Sequence, residues 1–425
     1  MCIRDRSNND NNCTGTNQAL VAGNISTMEG TMLEGANVEI IGQGNMPSAV
    51  TGENGTFSFS LNKGQTYEVQ AKKEDNHLNG VSTFDLIVIS KHILGITEFM
   101  NPYQYIAADI NQSGTISAFD LVQLRQLILN ITTEFPNNEA WRFVATHYEF
   151  NTENPLAENY SEVIKINDHQ ADMMDADFVA IKIGDLNHSA RVNQLQSSES
   201  RTILPTTTLT VTDRHLAVGE VITVDFNFDE IDELQGYQMA LNYAGLELVN
   251  IEEGLVEQHH FGSNLQEESI LLNSWDRFDG SKTTTEDQPA LFSLKFKALK
   301  AGKLSEFLHL QSTVLQTEAY TFNGALMDIV LQFETAKTTA FTLEQNHPNP
   351  FRNTTSIGFQ LPEAGWAILT ILDVQGQVLL QERKDFSQGA HQWIIEGQSL
   401  NSRGILYYQL ATDKEVLTRK MMRIE

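Results

Sequence analysis

One short pattern occurs twice in this chain and limits what its middle can fold into. "GVSTFDLIVISKHILGI", starting at Gly80, is followed by "TISAFDLVQLRQLILNI", starting at Thr115, at a constant offset of 35 residues. Ser82, Phe84, Asp85, Leu86, Ile93, Leu94 and Ile96 match Ser117, Phe119, Asp120, Leu121, Ile128, Leu129 and Ile131. After each Asp, apolar residues fall at helical spacing: Leu86, Ile89 and Ile93 in one copy, Leu121, Leu124 and Ile128 in the other. Two short amphipathic helices cannot bury such stripes alone, so the spacing predicts a pair that face each other.

The second copy opens with "DINQSGTISAFD". Asp109, Asn111, Ser113 and Asp120 stand at positions 1, 3, 5 and 12 of a twelve-residue loop, with Gly114 at the sixth, where the chain must turn sharply. A hard cation takes about six to eight oxygens, and short side chains at alternate loop positions point them inward.

Two loop–helix copies with Asp at position 12 resemble a dockerin domain. The wording "NGVSTFDLIVISKHILGI … YIAADINQSGTISAFDLVQLRQLILNI … NNEAWRF … FVAIKIGDLN" is similar to the dockerin-like modules of large Bacteroidetes surface proteins. That resemblance implies calcium, with Asp109, Asn111, Ser113 and Asp120 giving side-chain oxygens, Thr115 its backbone carbonyl, and Ser117 acting through a water. It also implies recognition of a partner sandwich through residues early in each helix: Leu86, Ile87 and Lys91, and Leu121, Val122 and Gln126. The first copy departs from the pattern. Counting back from Asp85 puts Glu74, Asn76 and Leu78 at positions 1, 3 and 5, and Leu78 cannot ligate. A loop one residue shorter, starting at Asp75, fits equally well. Asp185 and Asn187, in "GDLN", offer a third way to complete the first site, from a distance.

The remainder reads as β-structure, so the fold class expected is mainly β and multidomain: Ig-like β-sandwich modules with one small helical, EF-hand-like module. Residues 1–17 read as a polar linker without the apolar stretch of a signal peptide, and the chain as the C-terminal part of something longer. Residues 18–73 alternate through Phe57, Phe59 and Leu61 after an "NG" turn and resemble a carboxypeptidase regulatory-like sandwich. Residues 74–196 form the dockerin-like module. Residues 202–335, on Gly236, Tyr237, Leu241, Tyr243 and Leu248, resemble a cohesin-like sandwich. A short polar linker, "HSARVNQLQSSES", separates these two, so independent modules are the expectation, with docking between them the alternative. Residues 341–425 resemble the C-terminal sorting domain of the type IX secretion system, on "QNHPNPF", "LPEAG", "LDVQGQV", "SRGILYYQL" and "RKMMRI".

Net charge is -27, from 28 Lys and Arg against 55 Asp and Glu, which argues against nucleic acid or an anionic membrane surface as partner. Cys2 and Cys13 both lie near the start, so no disulfide framework is expected. No run of eighteen apolar residues predicts a membrane span. His259 and His260 lack a third ligand at fixed spacing, and no nucleophile elbow or phosphate loop is present. Trp141, Trp275, Trp366 and Trp393 are expected in cores, with Trp275 open to a second reading as a sugar-stacking surface. The chain is therefore expected to be noncatalytic, and the sorting-domain resemblance implies that it is secreted or held on the outer-membrane surface. Its expected partners are the type IX machinery and a cohesin-like or dockerin-like module or a surface polysaccharide. The alternative is the accessory C-terminus of a polysaccharide hydrolase or peptidase.

Overall fold

Alternation around Phe57, Phe59 and Leu61 becomes a strand with these three residues buried and their neighbours exposed. The computed structural model describes residues 17–151, 154–158, 160–193, 204–277, 290–335 and 341–424, and the chain divides into two units, 1–334 and 335–425. Cys2 and Cys13 lie outside the described residues, as does most of the linker after Asn193.

In the first unit, β1 (Gln18–Thr27), β2 (Asn37–Ile41), β3 (Ser48–Val50), β4 (Thr56–Asn62) and β5 (Tyr67–Lys72) precede α1 (Thr83–Ile93), α2 (Pro102–Ala108) and α3 (Ala118–Ile128). Then come β6 (Trp141–Ala145), β7 (Val163–Ile166) and β8 (Phe178–Lys182). These later strands complete the first sandwich. Its sheets run β4-β1-β8-β6 and β3-β2-β5-β7, with β8 parallel to β1 and β7 antiparallel to β5. Val21, Phe57, Tyr67, Trp141 and Phe178 share its core. The expected boundary between 18–73 and 74–196 therefore does not separate two structures, because the helices are inserted into one sandwich.

Both long helices start with the same device. Ser82 and Ser117 are N-caps, and the Asp three residues on accepts from the cap's own N–H, at 2.8 Å in each case. Leu86 and Ile89 pack in one core with Leu124, Leu127 and Ile128.

The second sandwich holds β9 (Thr206–Asp213), β10 (His215–Leu216), β11 (Val221–Phe228), β12 (Leu234–Asn242), β13 (Leu246–Glu252) and β14 (Phe261–Gly262). It continues with β15 (Ile270–Asp276), β16 (Phe292–Ala298), β17 (Gly302–Lys303), β18 (His309–Gln311), β19 (Glu318–Thr321) and β20 (Leu326–Thr335). Strand order is β13-β16-β11-β9-β20-β19-β12-β15-β14, around a core that includes Phe226, Phe292, Tyr237 and Trp275. Trp275 is 3% exposed and so offers no stacking surface.

The helices are seated on this sandwich, not strung beside it. Thr83 N donates to Gln238 Oε1 at 2.7 Å and Thr83 Oγ1 meets Ser274 Oγ at 2.7 Å. Lys91 Nζ donates to Gln235 Oε1 at 2.9 Å, Phe84 lies against Tyr320, and Arg125 pairs with buried Asp276. Gly236 and Gly262 make the close approach possible: a Cβ would lie 2.9 Å from Ile87 Cδ1 in one case and 2.1 Å from the Leu129 carbonyl in the other. The expectation of independent modules is thus replaced by a docked pair within one unit.

The second unit contains β21 (Thr342–Leu343), β22 (Thr354–Leu361), β23 (Gly365–Leu372), β24 (Val378–Phe386), β25 (Gly389–Glu396), β26 (Gly404–Ala411) and β27 (Val416–Arg423). Sheets β21-β22-β25 and β24-β23-β26-β27 enclose Phe351, Phe359, Leu369, Trp393 and Tyr408.

The repeat supplies an internal control for docking. Ile87 is fully buried against the sandwich, whereas its repeat counterpart Val122 is 49% exposed. Ile87→Ala should cost about 2–5 kcal/mol, as for other buried large-to-small changes. Val122→Ala should stay within about 0.5 kcal/mol. Urea unfolding of the full chain checks this, and equal costs would contradict the docked arrangement.

Candidate functional site

Loop 109–120 folds around its own oxygens. Asp109 Oδ1 accepts from Ser113 N at 2.9 Å and Oδ2 from Gly114 N at 2.8 Å. Asn111 Oδ1 also accepts from Ser113 N, and Ser113 Oγ donates to the Thr115 carbonyl at 3.0 Å. Asp120 Oδ1 accepts from Asn111 N at 3.3 Å. Gln112 and Gly114 take positive φ, 55° and 80°, which turns the chain tightly enough to bring these groups together. Asp109, Asn111, Ser113, Thr115 and Asp120 therefore share one small volume.

The first copy has a matching arrangement built from two segments. Asp185 Oδ1 accepts from Ser189 N at 3.0 Å and Oδ2 from Ala190 N at 2.9 Å. Asn187 Oδ1 accepts from Ser189 N at 3.1 Å, and Ser189 Oγ donates to the Gly80 carbonyl at 3.0 Å. Asp85 Oδ1 accepts from Leu186 N at 2.7 Å. His188 takes φ 60°, as Gln112 takes 55°. So Asp185, Asn187, Ser189, the Gly80 carbonyl and Asp85 stand where Asp109, Asn111, Ser113, the Thr115 carbonyl and Asp120 stand, with one shift: Asp85 accepts from the second loop position, Leu186, and Asp120 from the third, Asn111. Gly80, at φ 76°, is where the segments touch: a Cβ there would lie 2.6 Å from Ala190 Cα. Of the three completions open in the sequence, this is the one the structure assembles. Asp75 instead accepts from Trp141 Nε1 at 3.0 Å and faces Lys73, and Glu74 faces His77.

Ser189 and Gly80 are the residues that sequence reasoning missed. The signal was present: "DLNHSA" at 185–190 matches "DINQSG" at 109–114, and Gly80 stands 35 residues before Thr115.

Asp85, Asp109, Asp120 and Asp185 are each no more than 5% exposed. Among the described residues no ion pair reaches any of them. Burial, then the neighbouring Asp185, holds the Asp85 carboxyl well above the usual range, and burial raises Asp185 and Asp109 as well. Buried carboxylates are costly unless hydrogen-bonded and balanced by positive charge. Backbone N–H groups provide the first. Each site's oxygen-only donor set, two carboxylates with an amide, a hydroxyl and a carbonyl, suits a hard cation such as calcium for the second. Among the described residues no three His, Cys, Asp or Glu side chains converge, so neutral oxygens would make up most of either shell.

Lys182, three residues before Asp185, is buried and donates to the carbonyls of His77 at 2.7 Å and Ile183 at 3.1 Å. Burial pushes its ammonium down to about 8, although Asp75, Asp185 and Asp85 pull the other way. His260 is buried beside His259, and burial holds its imidazole at about 3, neutral at physiological pH.

In the second unit the two ends of the sorting-domain resemblance meet. Gln345 Nε2 donates to the Lys420 carbonyl at 2.8 Å, Met422 N to Asn349 Oδ1 at 2.9 Å, and Phe351 N to the Met422 carbonyl at 3.0 Å. "QNHPNPF" thus lies along "RKMMRI".

No family model matches this chain, and no curated protein matches it. Among solved structures, the seventh ScaB type I cohesin of Pseudobacteroides cellulosolvens is 19% identical over 34% of this chain and 99% of its own, with a TM-score of 0.23. A type II cohesin domain of Acetivibrio cellulolyticus is 18% identical over 31% of this chain and 93% of its own, with a TM-score of 0.22. PorZ, a type-IX secretion component of Porphyromonas gingivalis, is 15% identical over 25% of this chain and 15% of its own, with a TM-score of 0.15. Likenesses this distant carry nothing about function.

Lys182 gives a pH test. A lysine whose folded value, about 8, lies below its ordinary 10.5 opposes folding while charged, and the penalty is relieved as pH rises through that window. Wild type should therefore gain stability relative to Lys182→Met between about pH 8 and 10.5. Urea midpoints of both chains across this range read the difference, and parallel curves would refute it.

Proposed function

We propose that this chain is a noncatalytic part of a secreted or cell-surface protein. In this reading it is exported by type IX secretion, its inserted helical pair is stiffened by calcium, and it serves adhesion or assembly. The observation carrying the calcium reading is the double site: the same kinds of oxygen at matching loop positions, built once from a continuous loop and once from two distant segments. A chance acidic turn does not repeat in that way.

The helical pair is seated on the chain's own cohesin-like sandwich, so of the residues the resemblance assigns to a partner, Ile87 and Lys91 of the first copy are used internally while Val122 of the second stays exposed. The surface assignment rests on the sorting-domain resemblance. It is supported by the contact between the opening motif and the last strand, which makes that motif part of one folded element.

Calcium should stabilise the first unit. At about a hundred times its dissociation constant, a ligand adds about 2.7 kcal/mol to the folded state. Melting the full chain with calcium and with chelator, as wild type and as Asp109→Ala with Asp120→Ala, tests this. One midpoint for all four samples would exclude calcium.

Export has its own test. A reporter with a Sec signal peptide and residues 341–425 should reach the surface or medium of a host with type IX secretion. Ending the fusion at Leu417 removes most of β27 and should leave the reporter in the periplasm. Export of that truncated fusion would show that the terminal strand is not read.

A further inference from the structure

The two sites differ in what a cation in each would hold together. Loop 109–120 is continuous, so an ion there ties together residues already joined by a short stretch of chain. The other site joins Gly80–Asp85 to Asp185–Ser189, segments about a hundred residues apart in sequence. Restricting so distant a contact removes more freedom than closing a short loop.

Each segment also reaches further. Beyond Ser189, Ala190 and Val192 enter the first sandwich's core. Glu34 N donates to the Val192 carbonyl at 2.9 Å, Asn193 Nδ2 to the Met32 carbonyl at 3.1 Å, and His188 stands 3.2 Å from Glu29. On the other side, Asp85 Oδ2 accepts from the N–H and hydroxyl of Ser82, and the next residue, Thr83, makes the hydrogen bonds to Gln238 and Ser274 of the second sandwich. The split site is therefore the point at which the return segment of sandwich one meets the helix start that seats sandwich two.

We propose that a cation in the split site is a latch between the two sandwiches of the first unit: it fixes the return segment 185–193 to the start of α1, and through α1 to β12 and β15. The proposal rests on the calcium reading above. The continuous site closes a single loop, tied outward through Asn138 Nδ2 donating to the Asp109 carbonyl at 2.9 Å, and a cation there serves the stability of that loop.

Hydrogen exchange on the full chain tests the latch, with calorimetric calcium titration counting the sites independently. Chelating wild type should speed exchange about tenfold or more in peptides covering 27–34, 80–86 and 185–193. Asp185→Asn in calcium should lose one titrated site and reproduce that change. Asp109→Asn should lose the other site and loosen only 109–116. Chelation of wild type needs no substitution, so a poorly folding variant leaves the test intact. If Asp185→Asn loses a site while the three peptides keep wild-type rates, the latch is overturned and calcium binding stands. If wild type takes up no calcium, the calcium reading and the latch both fall.

Discussion

Much of the first unit depends on how Asp85 is satisfied. Its carboxylate is fully buried, which is costly without compensation. One oxygen holds the cap of α1 at Ser82, and the other takes the N–H of Leu186, from a segment that arrives after the whole first sandwich has been completed. Removing either partner would leave a buried acceptor unsatisfied, at about 1–3 kcal/mol per lost partner. The same helix start then places Thr83 on Gln238 and Ile87 over Gly236, so local capping and long-range packing share one turn of backbone.

The duplicated sequence does not have duplicated surroundings. Phe84, Ile87 and Leu129 are covered by the second sandwich or packed beside it, while their counterparts Phe119, Val122 and Leu94 are 57%, 49% and 57% exposed. Seating one flat sheet face on a pseudo-symmetric helix pair can satisfy only one of two equivalent faces, and here that face combines the start of α1 with the end of α3. The halves also differ chemically at Thr83, Lys91 and Arg125, whose counterparts are Ala118, Gln126 and Ser90. Arg125 reaches the Ser274 carbonyl and Asp276, and a serine could not span that gap.

This asymmetry separates what the sequence showed from what it hid. Helix identity and the continuous loop were legible, because each depends on residues within one or two turns of each other. Strand alternation at Phe57, Phe59 and Leu61 was legible for the same reason. The membership of β6, β7 and β8 in the first sandwich was not, since parallel pairing of β8 with β1 joins residues about 150 apart with no local mark. The docked face was also hidden: Gly236 and Gly262 read as ordinary strand glycines until a helix lies against them. Asp185 and Asn187 were visible as a fragment, but their partner Gly80 contributes a backbone carbonyl, so only its place in the repeat, 35 residues before Thr115, marks it.

The split site follows from the insertion. The helices leave the sandwich after β5 and the chain re-enters through β6, so the two ends of the helical excursion must lie near each other at the sandwich rim. Strand β8 then runs parallel to β1 and delivers Ile183–Ala190 to that rim, beside the stretch leading into α1. In the second copy the two halves of the loop are consecutive; in the first they are the point of departure and the point of return. A loop cut there keeps its geometry only if a residue without a side chain lets the cut ends touch, and Gly80 against Ala190 meets that condition. The stretch Glu74–Asn79 is then the connection from β5, and Asp185, Asn187 and Ser189 take the loop positions that Asp109, Asn111 and Ser113 hold in the second copy.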